Sequence, residues 1–331
     1  MARRAITDET TAPPPLWLVD WSDSEHEDFL WACDAASVEV RVIRGIALGS
    51  SVGTRSHRLR SWPTYISLAL RGLRRAGDST LIAWQPITGA LVGLLRRRSR
   101  PRLVVLNPLI DAYASTLRRR ILLAGVKRAD RVIFFSSSAL EAAVVLGLDR
   151  KRVRFIPLGV RPTSSWRPPS GDYFLAIGRE GRDWETLASA SEQLESEIRV
   201  VGPASLPNYG RLRLEPQLER SQLLELMEGA RAIVVPLVKS SRVSGQLTVL
   251  DGISVGRAVI ATQAPGVEDY LSSATGILVP PGDVSALREA LLRLGNQTVA
   301  EEMGRAAFAT AQREFSLERF VFTVSAEARA I

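Results

Sequence analysis

The stretch between residues 252 and 282 limits the possible folds more than any other part of the chain. It predicts a buried strand at 258–262, which is entered through Gly256 and followed by a tight proline–glycine turn. A second apolar run, at 276–279, ends at a proline pair and a glycine. A helix, a buried strand and a glycine turn in this order are typical of the ligand-binding edge of a Rossmann-like domain.

Short β-branched strands and helices alternate through the whole chain, which predicts an α/β protein with doubly wound, mostly parallel sheets. In the first half, the predicted strands are 16–20, 38–42, 80–83, 102–106, 131–135 and 153–157, and the predicted helices are 25–35, 60–75, 87–97 and 114–129. A capping box at Ser138-Ala-Leu-Glu141 predicts the start of the next helix. Later strands are predicted at 173–177, 197–201 and 231–236, and later helices at 183–193, 221–229, 246–256, 284–294, 298–313 and 316–328.

The length of 331 residues suits two domains better than one compact core. Residues 160–172 are rich in proline and read as a linker. We therefore predict one domain at 1–160, a second at 161–315, and a C-terminal helix at 316–331 that packs back toward the first domain. The cleft expected between two such domains is a common place for ligands.

Composition indicates a globular protein, with 46% hydrophobic and 24% charged residues. The single cysteine, Cys33, excludes an internal disulfide and suits a reducing cytoplasm. No apolar run approaches the roughly 20 residues of a membrane span, and the first residues have no apolar signal core, so they read as a short leader. We expect a cytoplasmic protein.

Charge is distributed unevenly between the two halves. Residues 1–160 hold 25 basic and 14 acidic side chains, whereas residues 161–331 hold 18 and 21. Many of the basic side chains fall in three clusters, Arg71/Arg74/Arg75, Arg96/Arg97/Arg98/Arg100/Arg102 and Arg118/Arg119/Arg120. They form either a solvated face or, together with Leu73, Leu94 and Leu95, a contact with an anionic bilayer. No nucleic-acid partner is expected, because the clusters lack interleaved aromatic residues.

Three segments, at 128–160, at 176–187 and from Val243 to about 283, resemble retaining family-four glycosyltransferases of the GT-B type. The resemblance implies two Rossmann-like domains that face each other across a cleft. The first would bind the acceptor and the second the nucleotide sugar. It implies transfer of a hexose from a nucleotide diphosphate sugar to a saccharide or lipid-linked acceptor with retention, in cell-surface polysaccharide or glycolipid synthesis. Such an enzyme would lie in the cytoplasm or peripherally on the inner face of the membrane.

Enzymes of this type use no divalent metal, so the resemblance implies that protein groups neutralise the diphosphate. Arg179 and Arg182 take the places of the family's arginine and lysine. Backbone amides of Ser244, Gly245 and Gln246 would begin a helix that points at the same phosphates, and Thr248 would add a hydroxyl. The alternatives are surface arginines on a loop and an ordinary helix start.

The family's usual motif has two glutamates eight positions apart. Asp251 takes the second place and would bind the ribose hydroxyls, or else it is a solvated helix residue. Val243 takes the first, which removes a contact with the donor sugar. Glu268 is a candidate cleft contact or an acid in the first turn of a short helix. Gly202 would border the base pocket.

Two further departures concern the first domain. Many relatives have a histidine after the fourth strand, where this chain has Asn107, and neither His26 nor His57 lies there. The acidic run 23–28 is explained by a first helical turn, so no metal site and no other cofactor is expected. Val243 and Asn107 support an alternative function, that of a catalytically silent nucleotide-sugar-binding or partner protein.

Overall fold

The computed structural model describes residues 13–45, 62–97, 100–110, 116–179, 181–240 and 243–331, without the side chains of residues 116 and 118. Its contacts divide it into two compact units. The first contains the described residues up to Phe134, together with Leu146–Arg154 and Val321–Ile331. The second contains Phe135–Val145 and Phe155–Phe320. The chain therefore passes from one unit to the other four times.

The first unit contains a sheet of six strands in the order β2-β1-β3-β4-β5-β6. Its strands are β1 (Leu16–Val19), β2 (Arg41–Arg44), β3 (Leu81–Ala83), β4 (Leu103–Leu106), β5 (Arg131–Phe134) and β6 (Val153–Phe155). Its helices are α1 (Asp23–Ala35), α2 (Trp62–Arg75), α3 (Pro86–Leu95) and α4 (Thr116–Val126). Pairing is parallel, as in the central register where Leu16 of β1 lies beside Leu81 of β3.

The second unit begins with α5 (Ser137–Val145) and contains a second six-stranded sheet, in the order β12-β11-β10-β7-β8-β9. Its strands are β7 (Tyr173–Ile177), β8 (Glu197–Val201), β9 (Leu212–Leu214), β10 (Ala232–Val235), β11 (Ala258–Thr262) and β12 (Gly276–Val279). The later helices are α6 (Trp184–Ser191), α7 (Arg220–Gly229), α8 (Gln246–Ser254), α9 (Val284–Gly295), α10 (Gln297–Glu314) and α11 (Leu317–Arg329), whose last turns belong to the first unit.

Central strands are short and almost entirely apolar because helices cover both faces of each sheet. Every residue of β4, β10 and β11 is buried. Polar side chains begin the helices that cover them. Ser22 forms a capping box with Glu25 at α1, and the carboxylates of Asp183 and Asp283 accept backbone N–H groups at α6 and α9. These local signals explain why helices and strands alternate where they do.

Each sheet has one topological switch point, where successive connections leave in opposite directions. In the first sheet it lies between β1 and β3, and in the second between β7 and β10. Ligands of open α/β sheets bind outside the carboxyl ends of the strands at such points. The strand order therefore indicates one candidate site in each unit.

The prediction of an α/β protein with two Rossmann-like domains is confirmed, although three details were wrong. The second strand begins at Arg41 because it pairs with β1 only from there. Strand β9 was missed, since its side chains are exposed or half-buried at the sheet edge. Ser138 lies inside α5, and it is Ser136 Oγ that accepts the backbone N–H of Ala139, at 3.4 Å.

Among the helices of the described ranges, none combines the length and the apolar character that a membrane span requires.

Candidate functional site

The site in the second unit is built where β7 and β10 end. Strand β7 leads through Gly178 into the loop that carries Arg179 and Arg182. Strand β10 leads into the segment that ends at Gly245, the residue before α8. Backbone hydrogen bonds join the segment after β7 to the segment after β10. Asp183 N–H donates to Pro236 O at 2.9 Å, and Val238 N–H donates to Gly181 O at 3.2 Å.

Arg182 joins the two connections through its side chain. Its Nε donates to the carbonyl of Ile177 at 2.9 Å, and its Nη2 donates to Thr248 Oγ1 at 3.1 Å. Gly178 has φ of +139°, and a Cβ there would lie 2.5 Å from Arg182 Nε. Burial lowers the pKa of the guanidinium. The arginine is thus held half-buried beneath the strand end, in a space that only glycine leaves open.

Arg179, in contrast, is exposed, and no ion pair of this residue is found within the described ranges. Its stem passes Gly202, where a Cβ would lie 3.3 Å from Arg179 Cγ and 2.6 Å from Gly178 O. Gly202 has φ of +123° and follows β8 directly. The glycines after β7 and β8 therefore lie backbone to backbone and leave the Arg179 guanidinium accessible to a ligand.

Helix α8 presents its N-terminus to the same edge of the sheet. Gly245 precedes it with φ of 83°, a left-handed conformation that favours glycine. No side chain caps the helix. Ser244 and Gly245 are half-buried, and the first N–H groups of a helix have no intrahelical partner. These amides and the positive end of the helix dipole can bind an anion.

The side chain of Gln246 forms hydrogen bonds within the protein. Its Nε2 donates to the carbonyl of Phe135 at 2.8 Å, with a longer contact of 3.5 Å to Gly266 O. Only the backbone amide of Gln246 is left for the predicted anion contact. The hydrogen bond orients the first turn of α8 relative to the segment that precedes α5.

Asp251 follows Thr248 by one turn of α8 and is half-buried. Burial raises the pKa of its carboxyl, while Arg220 acts weakly in the opposite direction. A partly buried carboxylate can accept hydrogen bonds from hydroxyl groups. The ribose contact of Asp251 stays a prediction.

Two neighbouring acidic residues in the turn after β11 have different environments. Glu268 is exposed, whereas both carboxylate oxygens of Asp269 accept from Ser137, its backbone N–H at 2.9 Å and its hydroxyl at 2.5 Å. Tyr270 is buried, donating to Phe135 O at 2.6 Å and accepting from Leu158 N–H at 2.9 Å. Residues 265–270 form a turn and not a short helix. Sequence reasoning missed Asp269 and Tyr270, because their partners are distant in the chain.

In the first unit, Asn107 follows β4 in a left-handed conformation, with φ of 39°. His26 lies half-buried in α1, and His57 lies outside the described residues. No group of three or more potential metal ligands occurs within the ranges that the structure describes.

The three arginine clusters are less uniform than their sequence suggests. Arg96 is buried, pairs with Asp130 at 2.5 Å and donates to the carbonyls of Pro101 and Arg128, so both predicted alternatives, a solvated face and a bilayer contact, were wrong for this residue. Arg71 is half-buried and donates to the carbonyl of Arg44. Exposed members are Arg74, Arg75, Arg97, Arg100, Arg102 and Arg120, while Arg98 and the Arg118 side chain lie outside the described parts.

Comparison with known proteins relates both the second unit and the whole fold to glycosyltransferases. Residues 172–297 match the sequence model of the family described as glycosyl transferases group 1. No curated protein sequence matches the chain. Sucrose-phosphate synthase of Thermosynechococcus elongatus has a similar structure, with a TM-score of 0.72 and 19% identity over 96% of this chain and 99% of that one.

HepE of Anabaena is similar in structure as well. Its complex with UDP matches with a TM-score of 0.73 and 14% identity over 96% of this chain and 100% of that one. Its complex with UDP-glucose matches with a TM-score of 0.68 and 15% identity over 96% and 99%. Residues 172–297 are therefore similar to the glycosyl transferases group 1 family, within a chain that has the two Rossmann-like domains of the GT-B fold.

Proposed function

We propose that this protein transfers a hexose from a nucleotide diphosphate sugar to a saccharide or lipid-linked acceptor, with retention at the anomeric carbon. The observation that carries the proposal is the convergence of Arg179, the Arg182–Thr248 pair and the start of α8 at one switch point. Two guanidinium groups and a helix N-terminus suit a diphosphate. HepE, with a similar fold, was crystallised with UDP and UDP-glucose, which makes uracil the first base to test.

In the proposed reaction, the bond between the anomeric carbon and the diphosphate oxygen breaks while the acceptor oxygen bonds to the same carbon. Arg179, Arg182 and the amides at Gly245 and Gln246 stabilise the charge that develops on the leaving diphosphate. The departing phosphate oxygen takes the proton of the acceptor hydroxyl. Protein groups thus supply the positive charge that a metal ion would otherwise provide.

The remaining contacts define the nucleoside end of the donor. Asp251 accepts hydrogen bonds from the ribose hydroxyls, and the backbone around Gly202 borders the base. Glu268 is exposed on the turn after β11 and contacts the donor from that side.

A second candidate function is that of a catalytically silent nucleotide-sugar-binding protein. One observation favours it. Val243 stands where the resemblance places a glutamate. Its side chain packs against Gly266 so closely that a Cβ added to this glycine would lie 2.8 Å from Val243 Cγ1. An apolar contact therefore occupies the place of the glutamate. Both candidates bind the nucleotide, and only the first releases it from the sugar.

Two measurements test the proposal in sequence. In a thermal-shift series with UDP, GDP and ADP, one nucleotide should stand out, because a ligand at 100 times its Kd stabilises the fold by about 2.7 kcal/mol. Release of that nucleotide from its hexose conjugate is then followed with saccharide and lipid-linked acceptors. Binding without release under all conditions would favour the silent protein, and no binding at all would contradict both candidates.

The proposed setting is cell-surface polysaccharide or glycolipid synthesis at the inner face of the membrane. Support comes from exposed arginines of the first unit, among them Arg74 and Arg75 at the end of α2. Ile66 and Leu70 are exposed on the same helix, at 40% and 38%. Basic and apolar side chains on one helix can bind an anionic bilayer.

A further inference from the structure

The switch point of the first sheet carries a pair of polar side chains that the proposed donor site does not use. Asp20 follows β1 directly, and Gln85 is the second residue after β3. Gln85 Nε2 donates to Asp20 Oδ1 at 2.7 Å. Since β1 and β3 flank the point where the strand order reverses, this pair lies where open α/β sheets bind ligands.

An aromatic residue, Trp84, precedes Gln85 in the chain and is held in place by other aromatic rings. Trp84, between β3 and Gln85, is half-buried, and its backbone N–H donates to Leu18 O at 3.1 Å. Its ring stands edge-on to that of Trp21, with centroids 4.9 Å apart. Trp21 is buried and packs in turn on Phe29 at 4.8 Å. Packing on Trp21 therefore fixes the indole of Trp84, the neighbour of Gln85 in the chain, while part of the residue stays exposed.

Among the described residues, none with a positive charge neutralises this carboxylate. Burial raises the pKa of Asp20, the hydrogen bond from Gln85 opposes that effect, and the one neighbouring charge that acts on it within the described ranges is the acid Glu25. Of the two arginines of β2, Arg44 pairs with Asp23 at 2.6 Å and donates to Trp21 O at 3.3 Å, and Arg41 donates to Ser79 Oγ and Arg75 O. A phosphate or carboxylate placed beside Asp20 would be repelled.

We propose that Asp20 and Gln85 form a binding site for adjacent hydroxyls of a neutral saccharide, with Trp84 against the face of the sugar ring. The proposal rests on the proposed function, for which it identifies the acceptor as a neutral sugar and excludes sugar phosphates and uronic acids. Asp20 accepts from one hydroxyl. The bond to Asp20 uses one N–H of Gln85, so its second N–H and its carbonyl can serve the neighbouring hydroxyl.

The test measures sugar binding by saturation-transfer NMR on the whole protein saturated with UDP. Probes are a panel of neutral methyl hexopyranosides, with glucose 6-phosphate and glucuronic acid as anionic counterparts. We expect at least one neutral glycoside to bind and the anionic sugars to give no signal. In Asp20→Asn the affinity for that glycoside should fall about tenfold, as for a lost hydrogen bond to a charged group.

Asp20→Asn keeps the shape of the side chain and an acceptor for Gln85. Asp34→Asn is the matched control, since it removes an exposed carboxylate from α1, leaves the Arg44–Asp23 pair intact and should leave sugar binding unchanged. Gln85→Leu is a second variant, which should weaken binding of the glycoside and leave binding of UDP unchanged.

Binding of UDP in the same samples separates this proposal from the proposed function. If UDP binds normally but no neutral glycoside does, or if sugar phosphates bind as well as neutral sugars, the acceptor site proposed here is wrong and the donor site stands. Equal glycoside affinity in Asp20→Asn and wild type would also overturn it. If UDP, GDP and ADP all fail to bind, the proposed function itself fails.

Discussion

Arg182 donates from Nη2 to Thr248 Oγ1 at 3.1 Å and thereby connects the end of β7 with the first turn of α8. The same guanidinium donates from Nε to Ile177 O and fills the space beside Gly178. Exposed Arg179, three residues earlier, has neither tie. The two arginines of this loop therefore differ, since Arg182 connects the strand end with the helix start in addition to its proposed phosphate contact, whereas Arg179 is exposed.

Replacing each arginine by alanine should distinguish an effect on ligand binding alone from an effect on both ligand binding and stability. Arg179→Ala should weaken UDP binding by about 1.5–3 kcal/mol, the value of a charge-assisted contact, with little change in melting temperature. Arg182→Ala should weaken UDP binding and also lower the melting temperature. Calorimetric titration and thermal unfolding measure both effects, with uridine as the ligand without phosphates and Arg293→Ala, on the exposed side of α9, as the control. Unchanged UDP affinity in Arg179→Ala would remove it from the phosphate site.

Asp251→Asn should stabilise the free protein and weaken nucleotide binding. The pKa of this carboxyl is raised in the folded state by burial, so its charge costs stability at pH values above that pKa. Asparagine removes the cost. As the pH falls through the raised pKa, the difference in melting temperature should shrink, and it should vanish below the ordinary pKa of an aspartate, where the folded and unfolded states are both protonated.

The ribose role of Asp251 is checked by comparing UDP with its 2′,3′-dideoxy analogue. The loss of affinity in Asp251→Asn, about tenfold for UDP, should shrink for the analogue that lacks the hydroxyls. An equal loss for both ligands would assign Asp251 to the fold alone.

The neighbouring acids Glu268 and Asp269 should respond in opposite ways. Asp269→Ala removes the acceptor for Ser137 N–H and Oγ at the start of α5, and should destabilise the protein by about 1 kcal/mol, as for other helix caps. Glu268→Gln should leave the melting temperature unchanged and weaken donor binding. Thermal unfolding with and without UDP distinguishes them. The assignment fails if Glu268→Gln is the less stable variant or if it binds UDP-hexose normally.

Turnover should survive EDTA. Arg179, Arg182 and the N-terminus of α8 supply positive charge at the diphosphate in the proposed reaction. Release of UDP from its sugar conjugate is measured after dialysis against chelator, with and without added manganese. Activity that disappears with EDTA and returns with manganese would show that these groups are insufficient.

Binding to anionic vesicles should depend on the exposed arginines of the first unit. Each basic side chain near such a surface contributes about 1 kcal/mol, and the attraction fades over about 8 Å at physiological salt. Sedimentation with anionic vesicles should fall as salt rises, and fall again when Arg74, Arg75, Arg97 and Arg100 become glutamine. Arg96→Gln is an instructive contrast, because loss of its buried pair with Asp130 should lower stability. Equal sedimentation with neutral vesicles would identify a solvated face.

The sequence by itself determined the fold class and most strand positions. Strands β7, β8, β11 and β12 lie at the predicted residues, because buried runs bounded by glycine, proline or charged residues are local signals. It also placed Arg179 and Arg182 after β7, and Gly245 before α8, through the resemblance of those segments. Edge strand β9 has no apolar pattern and was missed.

Only the tertiary structure decided which side chains meet. Asp269 lies 132 residues from Ser137, and Asp20 lies 65 residues from Gln85. No periodicity within a helix or strand reports such a pair. Arg96 belongs to a basic cluster in the sequence, yet the fold buries it against Asp130. The strand order sets these contacts, because it brings the ends of strands distant in the chain to one edge of a sheet.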